Sequence, residues 1–404
     1  MNERTAPSPA RNHAAMGPAD VLGFDPFDGG FLRDPYSRYR ELSARGAIFR
    51  TPGGLLVATT HELCSALLRD PRFGRGPTPR RGAGPGQQAV SFLWLDPPDH
   101  TRLRGLVSRA FTPRMIERLR PRVEAITAEL IAALPEEADL VSGLAYPLPV
   151  MVISELLGVP PEDHVRFRGW SEKLARGLDP MLTADLESET GQAGREFRDY
   201  FRELAATRRR RPGDDLLSAL TGVRELSEAD LLATCVLLLV AGHETTVNLI
   251  ANGVLHLARH GLLAHAARRP KEVVEEVLRY DPPVQLTARV ALEDTALGGV
   301  PAPKGTMVMA VIGAANRDPA VFPGPDRFDV TREPGRHLAF GLGIHFCLGA
   351  TLSRMEGEIA LSALASAAPG LELAGPPPYK ENVVLRGPAA LPVRLNRRPV
   401  TGPA

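Results

Sequence analysis

The segment that most constrains this chain runs over residues 227–260. Its apolar periodicity predicts a single helix, opened by the S-x-x-D capping pattern of Ser227 and Asp230 and stopped by Gly261. At ~1.5 Å per residue such a helix would be roughly 50 Å long. That is enough to cross a whole domain, so the rest of the chain has to be arranged around it. Its middle breaks the pattern. In LLLVAGHETT, residues 237–246, an apolar run reaches Val240; Gly242, His243, Glu244, Thr245 and Thr246 follow before the sequence turns apolar again. Glycine weakens helices, and neighbouring threonines are stiff at χ1. A core helix with a glycine, an acid and two hydroxyls at its midpoint needs a reason other than packing.

The sequence does not suggest a membrane span. The longest strongly apolar stretch, 231–242, is about a dozen residues, where a bilayer needs ~20. Residues 1–18 are rich in Ala, Pro, Arg and Asn and lack an apolar centre, so they read as neither signal peptide nor anchor. We expect a cytoplasmic protein with a disordered extension over residues 1–20. The net charge of +1 gives no global attraction to nucleic acid or to an acidic membrane. Of 48 basic residues only four are lysine: Lys173, Lys271, Lys304 and Lys380.

Helical periodicity also covers residues 36–45, 61–69, 114–134, 195–208 and 270–280. Short extended pieces are expected near 47–58 and 287–309. Residues 74–88, rich in Gly, Pro and Arg, and the polar stretch 178–192 read as irregular, mobile segments. The four arginines 208–211 before Pro212 read as a solvated helix end.

The three cysteines, Cys64, Cys235 and Cys347, are far apart and form no CxxC, so neither a disulfide framework nor a zinc ribbon is indicated. Cys347 lies in FGLGIHFCLG, residues 340–349, just before an expected helix over 348–365. Glycines there let backbone pass close to something flat or bulky. A cysteine ahead of a helix start faces positive dipole and amide donors, which favour thiolate. Three uses compete for it: a small core residue, a zinc ligand with only His345 nearby, or the single thiolate ligand of a haem iron.

FGLGIHFCLG resembles the cysteine-ligand loop of the cytochrome P-450 superfamily, F-G-x-G-x-H-x-C-x-G, at Phe340, Gly341, Gly343, His345, Cys347 and Gly349. Leu352, Arg354 and Glu356 continue its bacterial pattern. The oxygen-binding helix of the family carries A/G-G-x-D/E-T, matched by Ala241, Gly242, Glu244 and Thr245. The resemblance spans about residues 25–395. It implies a mainly α fold with small β-sheets, one triangular haem-enclosing domain over 21–404, and haem b held axially by Cys347.

Roles follow from the same resemblance. Small Ala241 and Gly242 would let the helix lie close over the porphyrin. Thr245 can bond the Ala241 carbonyl and open a π-bulge or kink. Thr245 would steady oxygen and relay protons, and Glu244 would supply them. His243 need not face haem, and Thr246 reads as structural. His100 and Arg104, four apart on one helix face, with Arg289 and His337, would hold the haem propionates. Glu276 and Arg279 match the family's buried E-x-x-R pair, with Arg327 of PDRF as its third member. Residues 384–393 resemble a C-terminal hairpin whose turn, at Leu385 and Arg386, reaches the substrate pocket.

The resemblance therefore implies a monooxygenase that hydroxylates or epoxidises an apolar natural product, a polyketide, peptide or terpenoid. Phe92, Leu93, Leu238, Ala241, Val284, Leu286 and Leu385 are candidate pocket walls. No flavin or iron–sulfur segment is present, so electrons would come from a separate ferredoxin and ferredoxin reductase. Arg102, Arg109, Arg114 and Arg354 are candidates for a basic docking face. A peroxygenase driven by hydrogen peroxide, or a haem sensor without catalysis, would not need the Glu244 and Thr245 pair.

Overall fold

A computed structural model of the chain describes residues 19, 22, 24–76, 90–176 and 184–397. The expected extension (except Ala19), residues 77–88 of the first irregular segment and 178–183 of the second lie outside the described residues.

The long helix spans Glu228–Arg259, 32 residues. Ser227 Oγ accepts from the Asp230 amide at 3.1 Å, and Gly261 leaves the far end at φ +64°. Around it pack Pro147–Leu156, His164–Arg176, Ala184–Arg210, Pro270–Tyr280 and Ala350–Ala367. By length and composition this helix could cross a membrane, but its coat of helices makes it the centre of the main core. The expected π-bulge does not form at this point. The helix stays α through Thr245, whose hydroxyl donates to the Ala241 carbonyl at 3.0 Å without unseating the ladder. A π-turn occurs instead at Val141–Ala145, against the same helix.

The other periodic segments fold where their caps put them. Asp34, Thr60 and Thr112 accept backbone N–H bonds at the starts of Pro35–Ala44, His61–Arg69 and Pro113–Ala133. Pro270–Tyr280 matches its expected bounds. The helix expected over 195–208 is longer, Ala184–Arg210, so residues 184–192 of the polar stretch 178–192 are helical rather than irregular. Its buried stripe is Ala193, Phe197, Phe201 and Ala205. The earlier turns offer no large apolar side chain beyond Leu186, which leaves periodicity little to detect.

A five-stranded sheet joins Ile48–Arg50, Leu56–Ala58, Met307–Val311, Leu286–Ala291 and Phe73–Gly74, in that order. Its register pairs Leu286 with Val311 and Arg289 with Val308. Strand alternation therefore sends Leu286 and Arg289 to opposite faces. The remaining sheets are small: Glu137–Asp139 with Pro392–Arg394 and Glu372–Leu373, and Thr295–Leu297 with Val300–Ala302. The fold is mainly α with small sheets.

Candidate active site

The cysteine loop is held from both sides. Gly341 and Gly343 adopt φ +67° and +69°, and a Cβ on Gly343 would strike the Leu68 carbonyl. The Cys347 amide donates to Phe340 O at 2.9 Å, and Gly349 caps Ala350–Ala367. Ahead of the loop stands a buried ion pair. Arg279 donates two bonds of 2.7 Å to Glu276, and both side chains are about 3% exposed or less. Arg279 also donates to Asn316 O at 3.1 Å, and Asn316 Oδ1 accepts from the Leu338 amide at 2.7 Å. The E-x-x-R pair thus fixes the residue at which the chain enters the loop.

The third arginine is not Arg327. Its side chain is 74% exposed and pairs with Asp329, and only its carbonyl meets Arg279, at 3.0 Å. Arg332, five residues on, sets Nε 3.6 Å from Glu276 Oε2. The PDRF tetrapeptide points the wrong side chain outward because the turn reverses before the chain returns to Glu276.

The helix start does not by itself make Cys347 a thiolate. Burial pushes the thiol pKa up, and the Gly349 amide, Arg104 and Arg354 pull against it without winning. Near this cysteine lies an excess of positive charge. His345 and His100 bring their rings to 4.4 Å, and neither ring has a hydrogen-bond partner among the described residues. Arg75, Arg104 and Arg289 surround them. Burial comes first and these arginines next in holding the His345 imidazole neutral, its pKa lowered to about 2. Burial and Arg75 likewise press down on Arg289. The nearby carboxylate of Asp96 is engaged by the amides of Arg75 and Gly76, at 2.8 and 3.1 Å.

Of the four expected propionate anchors, the structure brings together His100, Arg104 and Arg289. His337 is elsewhere: its Nε2 lies 3.1 Å from Glu275, which also takes Arg354. His345 and Arg75 occupy the site instead. His345 stood in the motif as a spacing match, and Arg75 lay in a segment read as irregular. Orphaned ring nitrogens among one buried and two half-buried guanidiniums fit a ligand with carboxylates, and a haem with its two propionates meets that requirement.

The opposite wall is the midpoint of the long helix. Among buried neighbours, Ala241 is exposed, and Gly242, Glu244 and Thr245 are half-buried. A face opens there between the buried runs 238–240 and 246–257 of the helix. Thr246 donates to Gly242 O at 3.1 Å and lies 3.3 Å from Ser353, tying this stretch to the helix that follows Cys347. His243 is fully buried and points away, with Ser171 Oγ at 2.8 Å and Leu239 O at 3.1 Å. Glu244 meets the Lys380 ammonium, and His243 Nε2 lies 3.5 Å away. Burial works to raise its pKa, but the His243 bond and Lys380 outweigh it and carry it down to about 2. Glu244 is therefore a carboxylate, not a stored acid.

The expected pocket walls divide. Phe92 is buried with its ring 6.3 Å from His100, in the one-turn helix that carries half-buried Leu93. Leu238 is buried on the long helix, and Val284 bridges Leu385. Leu286 does not belong with them: it packs with Leu22, Tyr39, Met309 and Val311 on the far face of the sheet. Nor does Arg386 reach a pocket as an anchor. It is buried, bonded to Asp281 at 2.8 Å and to the Leu32 and Arg33 carbonyls. Of the four docking arginines, Arg102, Arg109 and Arg114 are exposed, Arg102 facing Asp230 at 3.4 Å, and Arg354 is tied to Glu275.

Comparison with known proteins supplies the family. Residues 271–366 match the family described as Cytochrome P-450. Cytochrome P-450 107B1 of Saccharopolyspora erythraea is 42% identical over 398 residues, 91% of this chain and 96% of that protein. The polyketide biosynthesis cytochrome P-450 PksS of Bacillus subtilis is 40% identical over 418 residues, 94% and 100% of the two chains. Among solved structures, P450BioI in complex with an acyl carrier protein ligated to hexadec-9Z-enoic acid superposes with a TM-score of 0.85. It is 38% identical, covering 91% of this chain and 100% of that one. Identity at this level over nearly the whole length establishes that the chain belongs to the cytochrome P-450 family of monooxygenases.

Proposed function

We propose that the chain is a cytoplasmic haem-thiolate monooxygenase, one domain over residues 21–404, that hydroxylates or epoxidises an apolar natural-product intermediate. The observation that carries this reading is the unanswered cationic cluster beside Cys347. Haem b would be held through the Cys347 sulfur, with His100, Arg104, Arg289, His345 and Arg75 toward its carboxylates. When bound, haem supplies oxygen activation, to which a thiolate ligand adds electron density that favours O–O cleavage.

The residues of this chain supply position and protons. Phe340, Gly341, Gly343 and Gly349 shape the cysteine loop, and Ala241 and Gly242 leave room on the opposite helix. Thr245 Oγ1 donates to Ala241 O and keeps its lone pairs for a proton donor, so it can take and hand on a proton at this face. Glu244, one residue away, is the carboxylate through which a proton from solvent would pass to it. Phe92, Leu93, Leu238, Val284 and Leu385 would exclude water and hold an apolar substrate. The polyketide role in the name of PksS supports that substrate class. Electrons would arrive from a separate ferredoxin and its reductase at a face that includes Arg109 and Arg114.

The Soret band of the reduced carbonyl complex tests the reading. A red-shifted, thiolate-type band that Cys347→Ser abolishes is expected; an imidazole-type position would reject it. Thr245→Ala should then divert reductant away from product by about tenfold or more. Unimpaired coupling would remove the proton role and leave the sensor or peroxide-driven readings.

A further inference from the structure

The helix Pro270–Tyr280 carries two adjacent acids, and the E-x-x-R pair uses only the second. Glu275 turns to partners of its own. Arg354, on the helix after Cys347, donates to both its oxygens, from Nε at 2.5 Å and from Nη2 at 3.2 Å. This is the planar fork that suits a carboxylate. His337, on the chain entering the cysteine loop, brings Nε2 to 3.1 Å. The Ala339 amide donates to His337 Nδ1 at 3.3 Å, so the ring proton sits on Nε2 and His337 is a neutral donor. Glu275 and Arg354 therefore stand as one negative and one positive charge. Burial works to raise the Glu275 pKa, but His337 and Arg354 outweigh it and bring it down to about 2.

The pair is set with its cation toward the cysteine. The Arg354 guanidinium lies over the Phe340 ring, 4.4 Å from its centre, and the His337 ring is 6.0 Å from the same ring. Phe340 O accepts from the Cys347 amide at 2.9 Å. Burial raises the Cys347 pKa, and Arg354 is among the groups that pull it down, whereas Glu275 is not. The carboxylate is thus the remoter charge, held behind the guanidinium. A free arginine on a flexible stem would turn to solvent, and Glu275 keeps this one on the ring.

We propose that Glu275 is a positioning residue for reduction: it holds the Arg354 cation against Phe340, and the charge pair sets how readily the centre bound at Cys347 accepts an electron. This rests on the haem-thiolate reading and deepens it. One electron passes from the separate donor protein to that centre, and no bond in this chain forms or breaks. A cation on the near side favours the reduced form, and the carboxylate behind it moderates the effect. The two side chains therefore act with opposite signs. Removing the carboxylate leaves Arg354 unanswered and favours reduction; removing the cation leaves Glu275 unanswered and opposes it. Arg354 is on this reading an internal charge that serves the cysteine loop, not a docking residue.

The test is the midpoint potential of the haem-loaded protein, followed by its absorbance in a redox titration. Glu275→Gln should raise the ratio of reduced to oxidised protein at a fixed potential by about tenfold, about 59 mV for a one-electron couple. Arg354→Met should lower it by about the same factor. The double variant loses both charges and should return to within about threefold of the wild type. Arg354→Lys, which keeps the cation, should stay there too. Damage to the loop alone would move both single variants the same way and the double variant further. Shifts of one sign, or no shift, overturn the proposal. Glu275→Ser and Arg354→Gln repeat the measurement where the first choice does not load haem. Loss of haem from every neutral variant would make the trio structural and overturn the proposal as well. The reduced carbonyl complex of each sample is recorded alongside. An imidazole-type Soret band in the wild type would end the monooxygenase reading, whereas a thiolate-type band with potentials that ignore Glu275 ends only this proposal.

Discussion

Two parts of this molecule bury charge, and they balance it in opposite ways. Around Asp281 the account closes within the protein. Its carboxylate takes Arg386 at 2.8 Å, His256 at 2.9 Å and Tyr36 at 2.7 Å. Burial works to raise its pKa, yet Arg386, His256 and Tyr36 hold it well below the ordinary range. Around His345 the account stays open: three arginines and two histidines gather around one carboxylate, Asp96, which the Arg75 and Gly76 amides already engage. The first cluster joins the N-terminal helix, the long helix and the C-terminal segment, and asks for nothing more. The second is complete only when an anion arrives. Buried charge is structural where it is answered internally, and marks a binding site where it is not.

The largest effect should come from breaking the closed cluster. Asp281→Ala strands Arg386 and His256 without their partner. The expected cost is about 3–5 kcal/mol, with or without haem, read from denaturant unfolding. A loss seen only in the haem-loaded protein would mean that the two clusters are not independent.

The open cluster should respond with the opposite sign. Arg289→Met removes one of several like charges, so the haem-free protein should keep or gain thermal stability. The loaded protein should lose haem faster by about tenfold, the worth of one charge-assisted hydrogen bond. Haem transfer to an apo-globin measures that rate. Equal destabilisation of both forms would make Arg289 a structural residue like Arg386.

This contrast sets what could be read from the sequence. The long helix, its caps and the cysteine loop are local patterns, and they fold where local rules put them. Arg386 and Arg289 differ in nothing local; each is a lone arginine in a β-rich stretch. Only tertiary contact assigns one to Asp281 and the other to the open site. Leu286 failed for a related reason, because one strand residue in two faces each way and pairing decides which. His345 had a usable signal, its fixed place two residues before Cys347. Arg327 and Arg332 could not be told apart without the turn that separates them. Lys380 lies 136 positions from Glu244, beyond any periodicity.

A pH scan sharpens the comparison further. The folded pKa of His345 is depressed from its ordinary value to about 2. A depressed base contributes stability that is present above the unfolded value of about 6.5 and lost as pH falls below it, because the unfolded chain then binds a proton the folded one refuses. The haem-free protein should therefore weaken as pH drops from about 6.5. Bound carboxylates would raise the His345 pKa, so the loaded protein should show a shallower slope. Asp281 is depressed too, but its contribution fades only below about 3.9, in both forms alike. Parallel slopes between pH 6.5 and 4 would argue that no anion reaches His345.

The smallest effect tests whether a charge near the E-x-x-R pair matters by its position in the sequence or by where its side chain goes. Arg327→Ala removes an exposed group whose one ion pair, to Asp329, is on the surface. Its backbone carbonyl, the part that Arg279 uses, survives the change. Stability should move by no more than about 0.5 kcal/mol. Arg332→Ala removes a largely buried guanidinium that faces Glu276 and donates to Pro323 O at 2.9 Å. Its cost should be about 1–3 kcal/mol, with a matching loss of haem retention as the entry to the cysteine loop loosens. Reversal of that order in thermal unfolding would return Arg327 to the triad.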